Sequence, residues 1–445
     1  MNGNSDTKCL GLDARRLRFA IGVDITAPVG FPIATSVTFH LSSLTAKDSM
    51  LHFSVQEAQL SSSEIWESKR PLGDAPAIAT ESEIAGRTKA ALASPLDFPA
   101  LSDAVVPGDR VALAVDPNVP SIDKVVAGVL SAIRNTEAGE IDVVLWDEAN
   151  SQTIDSIKAA APGCQVVIHQ CDSRAELSYL AADAAADPIY LNRHLVEADL
   201  VLPIIAVRSG DQSESDVTGI FPMLTDSATR HRAIKQCIDG EPARQMQTGN
   251  RIDKEIPWVL GVQLVCAVRV NDEGQFHDVI AGTIESIERQ VAQVAPPTQA
   301  DLVIASLDGN PQQQTWDNVL RALRTATRIA DSDATIVLWT ELSTAPDGLL
   351  LAIDQDSFDE ESAQAESDEA AGLDQDGLPT WNRFGAYARL IRPLLQNHRV
   401  LLYSRLDSED VERMGLGVID SVSQLATLSR GFSSCGIVRS AGYTV

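Results

Sequence analysis

The segment "VALAVDPNVPSIDKVVAGVL", residues 111–130, decides the fold because it joins a buried strand, a polar loop and an amphipathic helix. The unbroken apolar run at 111–115 predicts a strand covered on both faces. Helical spacing of apolar residues begins after Ser121, which stands where a helix N-cap belongs. The loop between strand and helix holds Asp116 and Asn118, and residues at this end of a parallel strand commonly face a binding crevice.

The same pattern repeats along the next hundred residues. The apolar runs "IDVVLW" (141–146), "CQVVIH" (164–169) and "ADLVLPII" (198–205) alternate with segments of helical period. One of these helical segments follows Asn150, a second candidate N-cap. Alternation of this kind is typical of a parallel sheet covered by crossover helices.

A second series of elements follows. The runs "GVQLVCAVRV" (261–270) and "FHDVIAGT" (276–283) predict neighbouring antiparallel strands that open a second sheet, and further strands and helices continue to the end of the chain. The predicted fold class is α/β, with two α/β domains, largely parallel sheets and a cleft between the domains. The predicted divisions are an N-terminal extension at 1–45, a first domain at 46–272 and a second domain at 273–445.

Charge and cysteine usage limit the partners. The chain has 445 residues and a formal net charge of −27, which disfavours nucleic acid and anionic membrane surfaces as partners. No early segment has the pattern of a secretory signal, so we expect a cytoplasmic location. The six cysteines lack Cys-x-x-Cys spacing, which favours reduced thiols over a zinc site, and we predict no metal. The oligomeric state is not indicated.

An acidic insertion interrupts the second domain. Residues 354–376 read "DQDSFDEESAQAESDEAAGLDQD" and contain one aromatic residue, so they predict a solvated loop. A calcium loop is the alternative, but the twelve-residue spacing with a central glycine and a terminal glutamate is missing.

The order of several segments resembles a known family. The segments "ALASPLDFPALSDAVVPGDRVALAVDPNVPSIDKVVAGVL" (91–130), "GIFPMLTDSATRH" (219–231) and "ADLVIASLDGNPQQQTWDNVLRALRTATRIADSDATIVLWTEL" (300–342) carry the likeness. In this order they resemble the nickel-pincer nucleotide-dependent lactate racemase family. That resemblance implies a two-domain α/β enzyme that carries a nickel cofactor on a lysine. It also implies racemisation of a 2-hydroxy acid, with two histidines as proton carriers and a cation that holds the substrate carboxylate.

The residues that the family uses are largely replaced here. Val119 stands where the resemblance places an arginine, and Asn150 and Ser151 stand in place of a histidine and an arginine. The segment "VRSGDQSESDVTGIFPML" (207–224) has Arg208 near a family histidine and no lysine before the proline. Thr218 and Ser215 offer no amine to which the cofactor could be attached. We therefore expect no nickel-pincer nucleotide.

Some candidate residues persist. His231 and His169 lie close to family histidines, Glu341 is retained, and Asn318 and Arg321 stand in place of a glutamine and a lysine. The candidate catalytic residues are His231, Glu341 and His169, and the candidate substrate-binding residues are Asp116, Asn118, Asn318 and Arg321. For each histidine, a structural role is the alternative.

Three functions are compatible with these observations. The first is a diverged protein that keeps the racemase scaffold but has lost the nickel cofactor and racemisation. The second is an active racemase-like or epimerase-like enzyme on a small 2-hydroxy acid or sugar acid, with His231, Arg321 and Glu341 as proton carrier, anion clamp and orienting group. The third is a binding protein that uses the acidic loop. The first is favoured because function follows the site rather than the fold, and a small anion in the cleft is the expected partner.

Overall fold

The structure of the protein is a computed structural model. It describes residues 37–47, 50–60, 62, 64–68, 80–208, 217–238, 252–291, 299–346 and 381–443. These residues belong to one compact unit, Thr35–Val445. Most of the predicted extension and all of the acidic insertion at 354–376 lie outside the described residues.

The strands occur in two series that are separated by helices. They are β1 Val37–Lys47, β2 Met50–Leu60, β3 Glu64–Ser68, β4 Val111–Val115, β5 Ile141–Leu145, β6 Gln165–Ile168, β7 Leu177–Ala182, β8 Pro188–Asn192, β9 Leu200–Ala206, β10 Val265–Val270, β11 Phe276–Gly282, β12 Ala300–Ser306, β13 Ala330–Trp339, β14 Arg399–Tyr403, β15 Gly417–Val418 and β16 Ser434–Val438.

The helices fall between the strands, as expected of crossover connections. They are α1 Glu81–Ala93, α2 Leu101–Ala104, α3 Ile122–Ile133, α4 Ser151–Ala160, α5 Arg193–Val196, α6 Ser227–Ile238, α7 Ile252–Val259, α8 Ile284–Gln290, α9 Trp316–Ile329, α10 Arg383–Asn397, α11 Ser408–Arg413 and α12 Val422–Ser429. Within the described ranges, none of these helices combines the length and the apolar character needed to cross a bilayer.

The first sheet is six-stranded, in the order β11-β10-β9-β4-β5-β6. All its pairs are parallel except β10 with β11. Strand β4 is buried along its whole length in the middle of this sheet, because the helices and loops on both faces cover its side chains. The predicted strand at 111–115 and the predicted helix after Ser121 are confirmed.

The antiparallel pair β10 and β11 is predicted correctly as a pair but wrongly as the start of the second sheet. Strand β10 pairs in parallel with β9, so the hairpin completes the edge of the first sheet. The error arises because local patterns identify a hairpin, whereas the neighbour on its other side is set by distant contacts. The strands on either side of residue 272, β10 and β11, therefore belong to the same sheet.

The second sheet is also six-stranded and parallel, in the order β15-β14-β13-β12-β16-β3. Its faces are covered by α9 and α10 on one side and by residues that include Leu60, Ile419 and Leu425 on the other. Strand β3 comes from the N-terminal part of the chain and pairs with β16, so residues 64–68 complete a sheet that otherwise begins at Ala300. Strand β3 was not predicted from the sequence.

Candidate functional site

The polar side chains of the two sheets meet where strands β4 and β5 end and where helix α9 begins. Carboxyl ends of parallel strands are the usual location of sites in such folds, because the connecting loops gather there. The loop after β4 supplies Asp116 and Asn118, the loop after β5 supplies Asp147 and Glu148, and α9 supplies Arg321.

Asp116 organises the loop that follows β4. Its side chain is completely buried, and its Oδ1 accepts hydrogen bonds from the backbone N–H of Asn118 at 2.9 Å and from Asn118 Nδ2 at 3.1 Å. Its Oδ2 accepts from Arg208 Nη2 at 2.7 Å. Asp116 therefore fixes the turn and neutralises an arginine, since a buried carboxylate requires a partner of this kind.

Glu148 is the centre of a network that joins the two sheets. Arg321 Nη2 lies 2.8 Å from Glu148 Oε1 and 3.0 Å from Oε2, and Asn118 Nδ2 donates to Oε2 at 2.8 Å. Arg321 Nη1 also donates to Asn318 Oδ1 at 3.1 Å, and Asn318 Nδ2 donates to Asn118 Oδ1 at 3.1 Å. Three of the four predicted substrate-binding residues, Asn118, Asn318 and Arg321, thus lie in one network, and the fourth, Asp116, is bonded to Asn118.

Asp317 adds a second carboxyl group to this network. Its side chain is buried beside Glu148. Burial and the charge of Glu148 raise the pKa of Asp317 well above its usual value, although Arg383 and Arg321 oppose the shift. Asp317 is therefore easier to protonate than an ordinary aspartate, whereas the Glu148 carboxylate beside it pairs with Arg321.

Tyr443 closes the network from the C-terminal end of the chain. Its hydroxyl donates to the backbone oxygen of Asn118 at 2.5 Å and accepts from Gln313 Nε2 at 2.5 Å. Burial raises the pKa of Tyr443, so its hydroxyl stays protonated near neutral pH. The centre of the Trp146 ring is 5.8 Å from the guanidinium carbon of Arg208 and 5.9 Å from that of Arg321, within the range of cation–π contacts.

A second charged cluster lies beside the first. Arg230 is 2% exposed and donates to Asp147 from Nη1 at 2.7 Å and from Nη2 at 3.1 Å. Burial alone would raise the pKa of Asp147, but the charge and hydrogen bonds of Arg230 outweigh it and lower that pKa. Arg383 Nη1 donates to the backbone oxygen of Asp147 at 3.2 Å, and the backbone N–H of Trp381 donates to Asp172 at 2.9 Å. Helix α10 is thereby attached to the loops of the first sheet.

His169 has a structural position. Its Nε2 lies 2.9 Å from the backbone oxygen of Thr225, and Asn192 Nδ2 donates to its Nδ1 at 3.3 Å. A carbonyl oxygen can only accept, so Nε2 carries the hydrogen. Burial and the charge of Arg230 lower the pKa of His169 to about 4. The ring is therefore neutral at physiological pH and both of its nitrogens are occupied.

His231 and Glu341 contact arginines other than Arg321. Arg389 Nη2 donates to His231 Nδ1 at 3.1 Å, and the ring packs edge-on against Trp381 at 5.3 Å between centres. Glu341 follows β13 and accepts from Arg405 Nε at 2.5 Å. The predicted trio of His231, Arg321 and Glu341 thus binds three different groups, Arg389, Glu148 and Arg405.

Five residues of the two clusters were not predicted from the sequence: Glu148, Asp317, Asp147, Arg230 and Tyr443. A weak signal existed for two of them, because "WDE" follows directly after the buried strand β5, at the end of the sheet where sites form. Asp317 resembled an ordinary acid in the first turn of a helix. Among the described residues, no group of three or more His, Cys, Asp or Glu side chains could hold a metal ion.

The comparisons with known proteins agree with this architecture. No protein-family model and no curated protein matches the sequence. Among solved structures, the lactate racemase apoprotein from Thermoanaerobacterium thermosaccharolyticum is similar with a TM-score of 0.61 and 15% identity, over 86% of this chain and 94% of that chain. A protein from Thermotoga maritima is similar with a TM-score of 0.55 and 10% identity, over 83% of this chain and 99% of that chain. The chain therefore has a lactate racemase-like α/β fold.

Proposed function

We propose that this chain is a diverged protein of the lactate racemase fold that does not racemise lactate through a lysine-tethered nickel cofactor. The observation that carries the proposal is the ion pair between Arg321 and Glu148. A 2-hydroxy acid needs a cation for its carboxylate, and the cation predicted for this task already binds a carboxylate of the protein.

The residues present do not fit the nickel-pincer nucleotide. No lysine occurs between Lys158 and Lys235, so the stretch before Pro222 lacks the amine for the tether. Thr218, in that stretch, is 1% exposed, and Lys235 lies beyond it as an exposed residue of α6. His169 cannot replace a missing imidazole ligand, because both of its ring nitrogens are hydrogen-bonded within the protein.

The neighbouring arginines show the same pattern of internal pairing. Arg208 binds Asp116 at 2.7 Å, and Arg230 binds Asp147 at 2.7 Å. Each carboxylate comes from a loop after β4 or β5, so the first sheet itself neutralises the cations around the cleft. This arrangement favours a cleft that is held together by its own charges over one that binds an acid strongly.

The test uses the full chain produced in cells that make the nickel cofactor. The lactate racemase from Thermoanaerobacterium thermosaccharolyticum, produced in the same cells, is the positive control. We expect no interconversion of D- and L-lactate above the rate without enzyme, and far less than one nickel per chain. Stoichiometric nickel bound covalently, or measurable racemisation, would contradict the proposal.

Two other functions stay predictions from the sequence. An epimerase acting on another 2-hydroxy acid or a sugar acid would show turnover in a substrate panel, and that turnover would disappear in His231→Ala. A binding protein that uses the acidic loop would lose its partner on deletion of residues 354–376, with little change in melting temperature. A cytoplasmic location also stays a prediction.

A further inference from the structure

The Glu148 carboxylate is surrounded by hydrogen-bond donors, as a bound carboxylate ligand would be. Its carboxylate receives two hydrogen bonds from Arg321 Nη2 and one from Asn118 Nδ2, all between 2.8 and 3.0 Å. The buried side chain of Asp317 lies beside the same carboxylate, and burial and that negative charge raise the pKa of Asp317. Its Oδ1 has no hydrogen-bond partner among the described residues.

The site is built by residues that hold each other in place without Glu148. Asn318 fixes both Arg321 and Asn118, with distances of 3.1 Å to Arg321 Nη1 and 3.1 Å to Asn118 Oδ1. Asp116 fixes Asn118 from the other side at 3.1 Å. The donors therefore stay oriented toward the position of the Glu148 carboxylate when that group is removed.

Solvent can reach the site. The side chain of Arg321 is 23% exposed, whereas that of Glu148 is 5% exposed. The Glu148 side chain therefore fills the inner, more buried position of the pair, and Arg321 the outer one.

The geometry points to Glu148 as a built-in ligand that occupies a binding site for a small monocarboxylate, formed by Arg321, Asn118 and Asp317. Glu148 belongs to the first sheet and Arg321 to the helix of the second, so the same carboxylate also joins the two sheets. This inference rests on the proposed function and extends it, because it identifies the group that binds the Arg321 guanidinium. It predicts that the site accepts an external carboxylate when the side chain of Glu148 is shortened.

The experiment compares acetate with chloride at equal ionic strength and pH 7. In Glu148→Ala we expect the melting temperature to rise with acetate and to saturate, and isothermal titration calorimetry should give the Kd. At ten times that Kd, acetate should raise the folded-to-unfolded ratio about 11-fold. The wild type should show no such rise, because its own carboxylate fills the site.

Two control variants separate the site from general salt effects. Glu148→Gln keeps a side chain of the same size in the site, so it should not respond to acetate. The double variant Glu148→Ala/Arg321→Met lacks the guanidinium and should not respond either. An equal response to acetate and chloride in Glu148→Ala, or no response to acetate, would overturn the inference.

Glu148→Ala leaves the Arg321 guanidinium without the carboxylate of its ion pair, so this variant can fold poorly. In that case the readout is the yield of folded protein after refolding in acetate or in chloride. A yield several-fold higher in acetate supports the inference, and equal yields, including none, overturn it. The racemisation assay uses the wild type without acetate, and its result bears only on the proposed function. The acetate response of Glu148→Ala bears only on the binding site for a carboxylate.

Discussion

At the residue scale, Asp317 shows why this site could be predicted only in part. Asp116 and Asn118 were recognisable because they follow a buried strand, where such folds form sites, and Asn318 and Arg321 were recognisable through the resemblance to a known family. An aspartate at the second position of a helix is normally exposed and favours the helix dipole. Its burial against Glu148 depends on how the two sheets meet, and no local pattern contains that information.

Asp317 also determines how stability should depend on pH. Its pKa in the folded protein is raised, so between its unfolded pKa and its folded pKa the folded state binds more protons than the unfolded state. Stability is therefore fully present below the unfolded pKa and falls as pH rises through the folded pKa. Asp317→Asn removes the titrating group and places an amide donor beside Glu148. At a pH above the folded pKa of Asp317, we expect the free energy of unfolding of this variant to exceed that of the wild type. The difference should be about 1.4 kcal/mol for each unit by which folding raises the pKa of Asp317.

The measurement is urea denaturation of both proteins between pH 4.5 and pH 8.5. Asp123→Asn is the matched control, because Asp123 is also the second residue of a helix but its side chain is 23% exposed. The free energy of unfolding of Asp123→Asn should differ from that of the wild type by the same amount at every pH in this range. A variant Asp317→Asn that is less stable than the wild type at pH 8 would mean that Asp317 is ionised and bound to arginine.

At the element scale, the helix starts were found from the sequence, but the capping contacts were found only in part. Asn150 caps α4 as predicted, since its side chain accepts from the backbone N–H of Thr153 at 2.9 Å. Ser121 also stands at the start of α3, yet it has φ of 55° and its hydroxyl makes no capping hydrogen bond. Its backbone conformation follows from the path of the buried loop, which the sequence pattern does not specify.

This difference gives a matched pair of substitutions. Asn150→Ala should cost about 1 kcal/mol of stability, because it removes a real capping bond. Ser121→Ala should change stability by less than about 0.5 kcal/mol, because it removes no such bond. Urea denaturation at neutral pH checks both values. Equal losses in the two variants would show that the Ser121 hydroxyl has a role that its contacts do not reveal.

At the scale of the whole molecule, sequence patterns identify elements more reliably than the sheets to which they belong. The alternation at 111–206 predicted neighbouring parallel strands, and the structure has them. The hairpin at 265–282 and the strand Glu64–Ser68 could not be assigned in the same way. Strand β3 pairs with β16, far along the chain, and such pairings depend on the assembled core rather than on nearby residues.

Tyr443 tests whether the two sheets unfold together. Its ring packs in the core of the first sheet, and its hydroxyl joins Asn118 to Gln313, which precedes α9 in the second. Tyr443→Phe should cost about 1–3 kcal/mol, because it leaves the backbone oxygen of Asn118 without this donor. Tyr443→Ala should cost about 3–5 kcal/mol, because it also removes the buried ring.

If the described unit unfolds cooperatively, both variants lower the urea midpoint and leave the m-value unchanged. Tyr179→Phe, at a position 56% exposed, is the control and should leave the midpoint in place. A lower m-value in Tyr443→Ala would mean that the two sheets unfold separately once this connection is lost.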